Sequence, residues 1–307
     1  MSDTPSIFHT DARLKRRKAL NRAMEGVSTA AALAAVAVLG ILVASVVVRG
    51  AGALNGDFFT KTRSDDFLDT SGGGIAHAIV GSGVIVAIAT AIAVPVGVLV
   101  AIYTSEFARP VVRNLVRLGL DVLNGIPSIV IGIFIFSLLV LGDQQRALYA
   151  SIALAIIMLP LIARSTQEVL ALVPPTLREA ALGVGVARWR MVIGIVLPAS
   201  LGGIMTGVSL GVARVAGETA PLLFTSSLAG NAVSGDLSHA LQTIPLTIFQ
   251  YAESPEPADH QKAWAGAILL IAFVLLTSLA SRMLMTRMRR RLEGGSRRRR
   301  LLRRAAS

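Results

Sequence analysis

Residues 179–198 read EAALGVGVARWRMVIGIVLP, a short charged stretch set between apolar runs long enough to cross a bilayer. Thr176 and Glu179 stand at capping-box spacing. The hydroxyl can accept from the backbone N–H three residues on, and the carboxylate can reach back to the Thr N–H. Pro174 and Pro175 stop any preceding helix from running through. The pattern predicts a short helix from Thr176 to Gly183 or Gly185, then a segment that passes Trp189 into the membrane. A structured surface helix wedged between spans points to an all-α, polytopic membrane protein.

Composition agrees. The chain has 307 residues, is 53% hydrophobic and carries a net charge of +12. Its mean hydropathy of +0.67 is high for a soluble domain of this size. Cysteine is absent, which excludes a disulfide framework, a thiolate metal site and a cysteine nucleophile. His9, His77, His239 and His260 are scattered without metal-ligand spacing, so no metal site is expected.

Outward from the opening stretch, the chain divides into a basic N-terminal tail (1–26), a six-span domain (27–285) and an arginine-rich tail (286–307). Val27 to Val48 is roughly 33 Å long as a helix, too long for the core of a signal peptide, and reads as a retained anchor. An external loop with Asp57, Asp65, Asp66 and Asp69 leads to a second span, Ile75 to Tyr103. A third follows from Leu118 to Leu141, and a fourth from Ala147 to Ala163. The loop that contains the opening stretch covers 164–198. An apolar stretch runs from Val192 to Leu228, an external segment continues to Lys262, and the last span is Ala263 to Leu284. On this reading the inside segments hold 6, 3, 4 and 11 Lys and Arg, and the outside segments 3, 1 and 1. Both termini are therefore expected in the cytoplasm.

Val192 to Leu228 contains only two charges, Arg214 and Glu218. As one helix it would be about 55 Å long, well over a ~30 Å hydrocarbon core, and Gly217 and Pro221 predict a break. Irregular backbone at that depth must be buried in protein or line a cavity. Arg214 and Glu218 share a face if the helix persists. A guanidinium fork suits an oxyanion, and a nearby carboxylate would hold it and keep binding weak enough for release. The same pair could instead be a salt bridge that locks the bend. In the third span Asp121, Asn124, Gly125, Ser128 and Gly132 follow helical spacing. They could line a path or make a close helix contact, and packing suits the glycines better.

The tail Arg287–Arg300 lies beside a span. Attraction to the lipid bilayer explains it more simply than nucleic acid, and no nucleic-acid partner is expected. None of Lys15, Lys18, Lys61 and Lys262 follows a glycine, so the chain lacks a P-loop Gly-Lys-Ser/Thr. It is not expected to be an enzyme.

The opening stretch resembles the EAA loop of ABC-importer permeases, E-A-A-x3-G-x9-I-x-L-P. Glu179, Ala180, Ala181, Gly185, Ile195, Leu197 and Pro198 stand at every fixed position. Residues 214–222, RVAGETAPL, are similar to the R-x-x-G-E-T-A-P-L segment of phosphate-specific members. Sulfate and molybdate permeases are similar only through Gly217-Glu218. NGIPSIV (124–130) and IPLTIFQYAESPEPADHQKAW (244–264) also resemble the phosphate family, more specifically its A-type subunit. The likeness covers roughly 75–285.

It implies a type I importer permease fold in a bacterial inner membrane, moving phosphate by alternating access. Glu179, Ala180, Ala181 and Gly185 would couple to two ATPase subunits, which hold ATP and Mg, with no cofactor on this chain. A second homologous permease subunit and an extracytoplasmic phosphate-binding protein complete the implied partners. The resemblance places the substrate path on Arg214, Glu218 and Thr219. Arg164 is a further candidate or a positive-inside anchor, and Asp121 and Asn124 remain open. The alternatives are a sulfate or molybdate permease, or a membrane scaffold that signals phosphate status.

Overall fold

The computed structural model describes residues 12–62, 73–227 and 230–305, with backbone alone at 12–13, 281 and 284–305. Expectations on residues 1–11, on Asp65, Asp66 and Asp69, and on the side chains of the arginine-rich tail lie outside the described residues. The chain separates into two compact units, 1–49 and 50–307. The first contains most of one long helix, α1 (Ala12–Gly50).

In the second unit α2 (Gly56–Thr60) precedes α3 (Ala76–Ile102), which continues as a π-helical turn at Tyr103–Phe107. Then come α4 (Pro110–Gly125) and α5 (Ser128–Ile135), the latter extended by a π segment to Val140. α6 (Ala147–Ala171), α7 (Pro175–Gly183) and α8 (Arg188–Met191) follow. A π segment, Val192–Val196, feeds α9 (Leu197–Ala216), and α10 (Ala220–Thr225), α11 (Ile244–Ala252) and α12 (Pro257–Ala305) close the chain. Among the described residues five helices are long and apolar enough to span a membrane, and the bent pair α4–α5 makes a sixth.

α6 is the central post. It packs against α3, α9, α4, α5 and α10. Ala150, Ser151, Ala153, Leu154, Met158, Ile162 and Ala163 are all essentially inaccessible. Small residues let α9 approach it closely. A Cβ on Gly203 would lie 2.5 Å from the Val169 methyls. One on Gly207 would meet Ser165 Oγ at 2.1 Å, and one on Gly211 would touch Met158 at 3.2 Å. This Gly-x3-Gly-x3-Gly row lies along one helix face and lets backbones meet.

Four expectations need correction. The predicted capping box does not form: α7 starts at Pro175, one residue early, and Thr176 makes no cap hydrogen bond. Proline fits the first helical turn because that turn's N–H has no partner to lose. The fourth span runs on to Ala171, so Arg164 sits within a membrane helix and not in the loop. The third span is two helices, α4 and the α5 segment, meeting at 96°. Pro127 disfavours helical backbone at Ile126, which is extended at φ −72° and ψ 129°. Asp121, Asn124 and Gly125 therefore belong to α4, Ser128 and Gly132 to α5, and no single face holds all five.

The segment before Lys262 contains a helix of its own. Its helix α11 buries Ile244, Leu246 and Tyr251 against α3 and α12. Ser82 Oγ accepts from Ile244 N at 2.8 Å. Gly81 lets the chain come this close, since a Cβ there would lie 2.0 Å from the Gln242 carbonyl oxygen.

Candidate functional site

The long apolar stretch breaks where Gly217 and Pro221 predict. α9 ends at Ala216, the Gly217 N–H returns to the Arg214 carbonyl at 3.2 Å, and α10 restarts with Pro221 in its first turn. Arg214 Nε and Glu218 Oε1 stand 3.9 Å apart. That is an ion pair too long for a hydrogen bond. The Arg214 side chain is 51% exposed and the Glu218 side chain 17%. The fork is thus steered electrostatically while its donors stay available. Thr219 is half-buried and caps α10 without a side-chain hydrogen bond. Against this break lies Gly132 of α5, where a Cβ would meet Pro221 Cα at 2.6 Å, so this glycine serves packing.

A second pair joins α6 to α4. Arg164 of α6 donates from its terminal nitrogen to Asp121 Oδ1 of α4, with side chains 33% and 56% exposed. Asn124, one turn further along α4, is exposed, and no atom lies near a Cβ built on Gly125. Gly207 of α9 faces Ser165 of α6. Arg214 lies seven residues past Gly207, so the two arginines are offset by about 10 Å along the helices at ~1.5 Å per residue. Among the described residues no hydrogen bond or ion pair joins the two pairs.

At the other end of the spans, α7 closes with a Schellman turn. Gly185 takes φ +81°. Its N–H bonds to Leu182 O at 3.0 Å, and the Val186 N–H bonds to Ala181 O at 3.1 Å. Gly185 is thus explained by conformation, because a left-handed C′ position favours glycine. Ala181 is buried with Leu170, Val173 and Met191, whereas Glu179 and Ala180 face outward. Around them Leu172 and Val184 are each 80% exposed, and Leu177, Leu182 and Trp189 are also open. Apolar side chains are thus exposed around this short helix.

Sequence reasoning missed two features. One is a cavity of about 500 Å³ at the ends of the α5 and α10 segments, lined in part by Phe136, Leu141, Asp143, Gln145 and His239. Beside it Gln145 Nε2 donates to Phe224 O at 3.1 Å. The Gln144 N–H, the Tyr149 hydroxyl and Arg146 together lower the Asp143 pKa. In the neighbouring loop, hydrogen bonds from the Ser238 N–H and hydroxyl, then from His239, lower the Asp236 pKa to about 2. The other is an ion pair between Arg178 and Glu106, whose partners lie 72 positions apart.

The fold is that of import permeases. A bacterial alginate ABC transporter chain, solved in complex with an alginate pentasaccharide-bound periplasmic protein, superposes with a TM-score of 0.60 at 15% identity, over 89% of this chain and 96% of that one. A chain of the MetNI methionine ABC transporter superposes with 0.55 at 18% identity, over 70% and 94%. Residues 93–290 match the family model of the binding-protein-dependent transport system inner membrane component. The phosphate transport system permease protein PstA of Yersinia pestis is 40% identical over 242 residues, 78% of this chain and 81% of that one. The PstA of Xylella fastidiosa strain Temecula1 is 36% identical over 277 residues, 89% and 95%. The chain belongs to the binding-protein-dependent permease family and, within it, to the PstA phosphate transport system permeases.

Proposed function

We propose that this chain forms one half of the membrane path of an ATP-driven importer that carries inorganic phosphate into the cytoplasm. The observation that carries the site is Arg214, a permanent cation at a helix break in an apolar span, half exposed and only loosely held by Glu218. A free guanidinium fork can take two phosphate oxygens, and the carboxylate 3.9 Å away limits how tightly they are held. Thr219 offers a hydroxyl beside it. Arg164, with Asp121 and Asn124, would form a second station about 10 Å further in on the helical rise. Its cation is more fully neutralised, which favours release over capture.

Helix α7 would be the contact for an ATPase. Glu179 and Ala180 are exposed for docking, Ala181 anchors the helix, and Gly185 terminates it. ATP and Mg, bound by two ATPase subunits, would supply the energy for alternating access, and this chain contributes no covalent chemistry. A second permease subunit would complete the path, and an extracytoplasmic binding protein would deliver phosphate. This reading sets the chain in a bacterial inner membrane with both termini inside. Thr219-Ala220-Pro221 separates it from sulfate and molybdate permeases. The EAA-loop pattern at residues 179–198 argues against a scaffold that signals without an ATPase.

The test is phosphate uptake by cells lacking their own A-type subunit and supplied with this chain. Wild type is expected to restore uptake that excess sulfate or molybdate leaves unchanged. Arg214→Ala is expected to abolish uptake while still inserting and retaining the ATPase. Wild-type uptake in that variant would remove Arg214 from the path.

A further inference from the structure

Arg178 lies beside the proposed docking surface but turns away from it. Its guanidinium is 22% exposed and donates to three groups on two other elements. Nε and a terminal nitrogen reach Glu106 Oε1 at 3.2 and 3.0 Å. The two terminal nitrogens also reach the carbonyl oxygens of Val173 and Leu170, each at 2.8 Å. Leu170 and Val173 flank the end of α6, whose last carbonyls have no partner within the helix. The Glu106 side chain is only 5% exposed.

Glu106 sits in the π turn, Tyr103–Phe107, at the inner end of α3. Three other side chains hold that turn. Gln167 of α6 donates to Thr104 Oγ1 at 2.8 Å, Arg113 of α4 donates to the Thr104 carbonyl at 2.8 Å, and Arg188 of α8 stacks over Phe107 at 5.6 Å. Single π turns inside α-helices occur often at functional sites. Here one is gripped from α4, α6, α7 and α8 together.

We infer that Arg178 and Glu106 form a clamp that makes the α7 helix, the end of α6 and the π turn of α3 move as one body, so that displacement of α7 is passed to two spans. The two are positioning residues and touch no substrate. A buried carboxylate paired to a fork with several bonds resists separation, because losing either partner leaves an uncompensated charge. A fork fixed by two backbone carbonyls as well cannot swing while the pair stays closed. The buried apolar contact of α7 is made by Ala181, in a cluster with Ala101, Leu170 and Met191. Among the described residues this is the one ion pair between α7 and the π turn that follows α3. The inference rests on the transport reading above.

The experiment uses the complete transporter, both permease subunits with both ATPases, in liposomes supplied with the phosphate-binding protein. Phosphate uptake and ATP hydrolysis are measured on the same sample. Glu106→Gln keeps an acceptor of the same shape and removes the charge. Arg178→Lys keeps the charge and removes the fork. In each, uptake per ATP hydrolysed is expected to fall at least tenfold while hydrolysis stays within about threefold of wild type.

Because this chain has no cysteine of its own, the double variant Glu106→Cys, Arg178→Cys, assembled with partner subunits whose cysteines have been replaced, can be bridged selectively by a short bifunctional thiol reagent. Bridging is expected to raise its uptake per ATP at least fivefold, which a purely local packing role would not do. A wild-type ratio in Glu106→Gln and Arg178→Lys, or no rise on bridging the cysteine pair, overturns the clamp. Wild-type liposomes without ATP-driven phosphate uptake would instead overturn the transport reading.

Discussion

Gly185 shows how a motif position and a physical requirement can coincide. Its φ of +81° lies in the left-handed region, where a side chain costs about 1–2 kcal/mol. Gly185→Ala is expected to loosen the end of α7 and reduce ATPase recovered with the purified chain severalfold, while Gly183→Ala, inside the helix, leaves recovery unchanged. Asp236 gives a titratable counterpart outside the spans. Its pKa falls from 3.8 to about 2, so the folded state favours the carboxylate. That contribution is full above the unfolded value and is lost as pH falls from 3.8 toward about 2. Asp236→Asn is expected to lower Tm at neutral pH, with the gap to wild type closing across that window. At this scale the sequence is unevenly legible. Arg214 and Glu218 stand out as charges in an apolar run, but Arg178 and Glu106 do not. Each looks like an ordinary charge at the end of a span, and only the fold brings together partners 72 positions apart.

Among the elements, the α6–α9 contact is the one set by a row of three glycines. Gly207→Ala would place a methyl 2.1 Å from Ser165 Oγ and 2.7 Å from its Cβ, so a helix must shift. Overpacking of this kind costs about 1–3 kcal/mol. A lower Tm in detergent is expected for Gly207→Ala, and almost none of that loss for Gly194→Ala, which has open space around it. The row Gly203, Gly207, Gly211 was legible at a spacing of four, but the two charges nearby draw attention first. The bend before α5 was legible too, in Pro127. A boundary set by the last arginine hides it, because α4 mixes Arg113, Arg117 and Asp121 with Val111, Leu115, Leu118 and Val122, all four of which are exposed. Hydropathy detects apolar length, and an amphipathic helix that turns by 96° into a span leaves no gap in that signal.

For the whole molecule, the count of spans was readable because long apolar helices need little tertiary help, while their ends depend on packing that no local pattern encodes. Orientation can be tested directly on this cysteine-free chain. Ala187→Cys is expected to react with a membrane-impermeant thiol reagent only from the cytoplasmic side, and Gln144→Cys only from outside. The opposite pattern would invert the proposed topology. The exposure of Arg214 has a consequence beyond transport. On the proposed reading, a copy without a second permease beside it would leave this half-exposed guanidinium uncovered, and a charged side chain left against lipid is costly. Such a copy would be costlier to keep in the bilayer than an assembled one, so the chain is expected to accumulate to full level only when its partner is made with it.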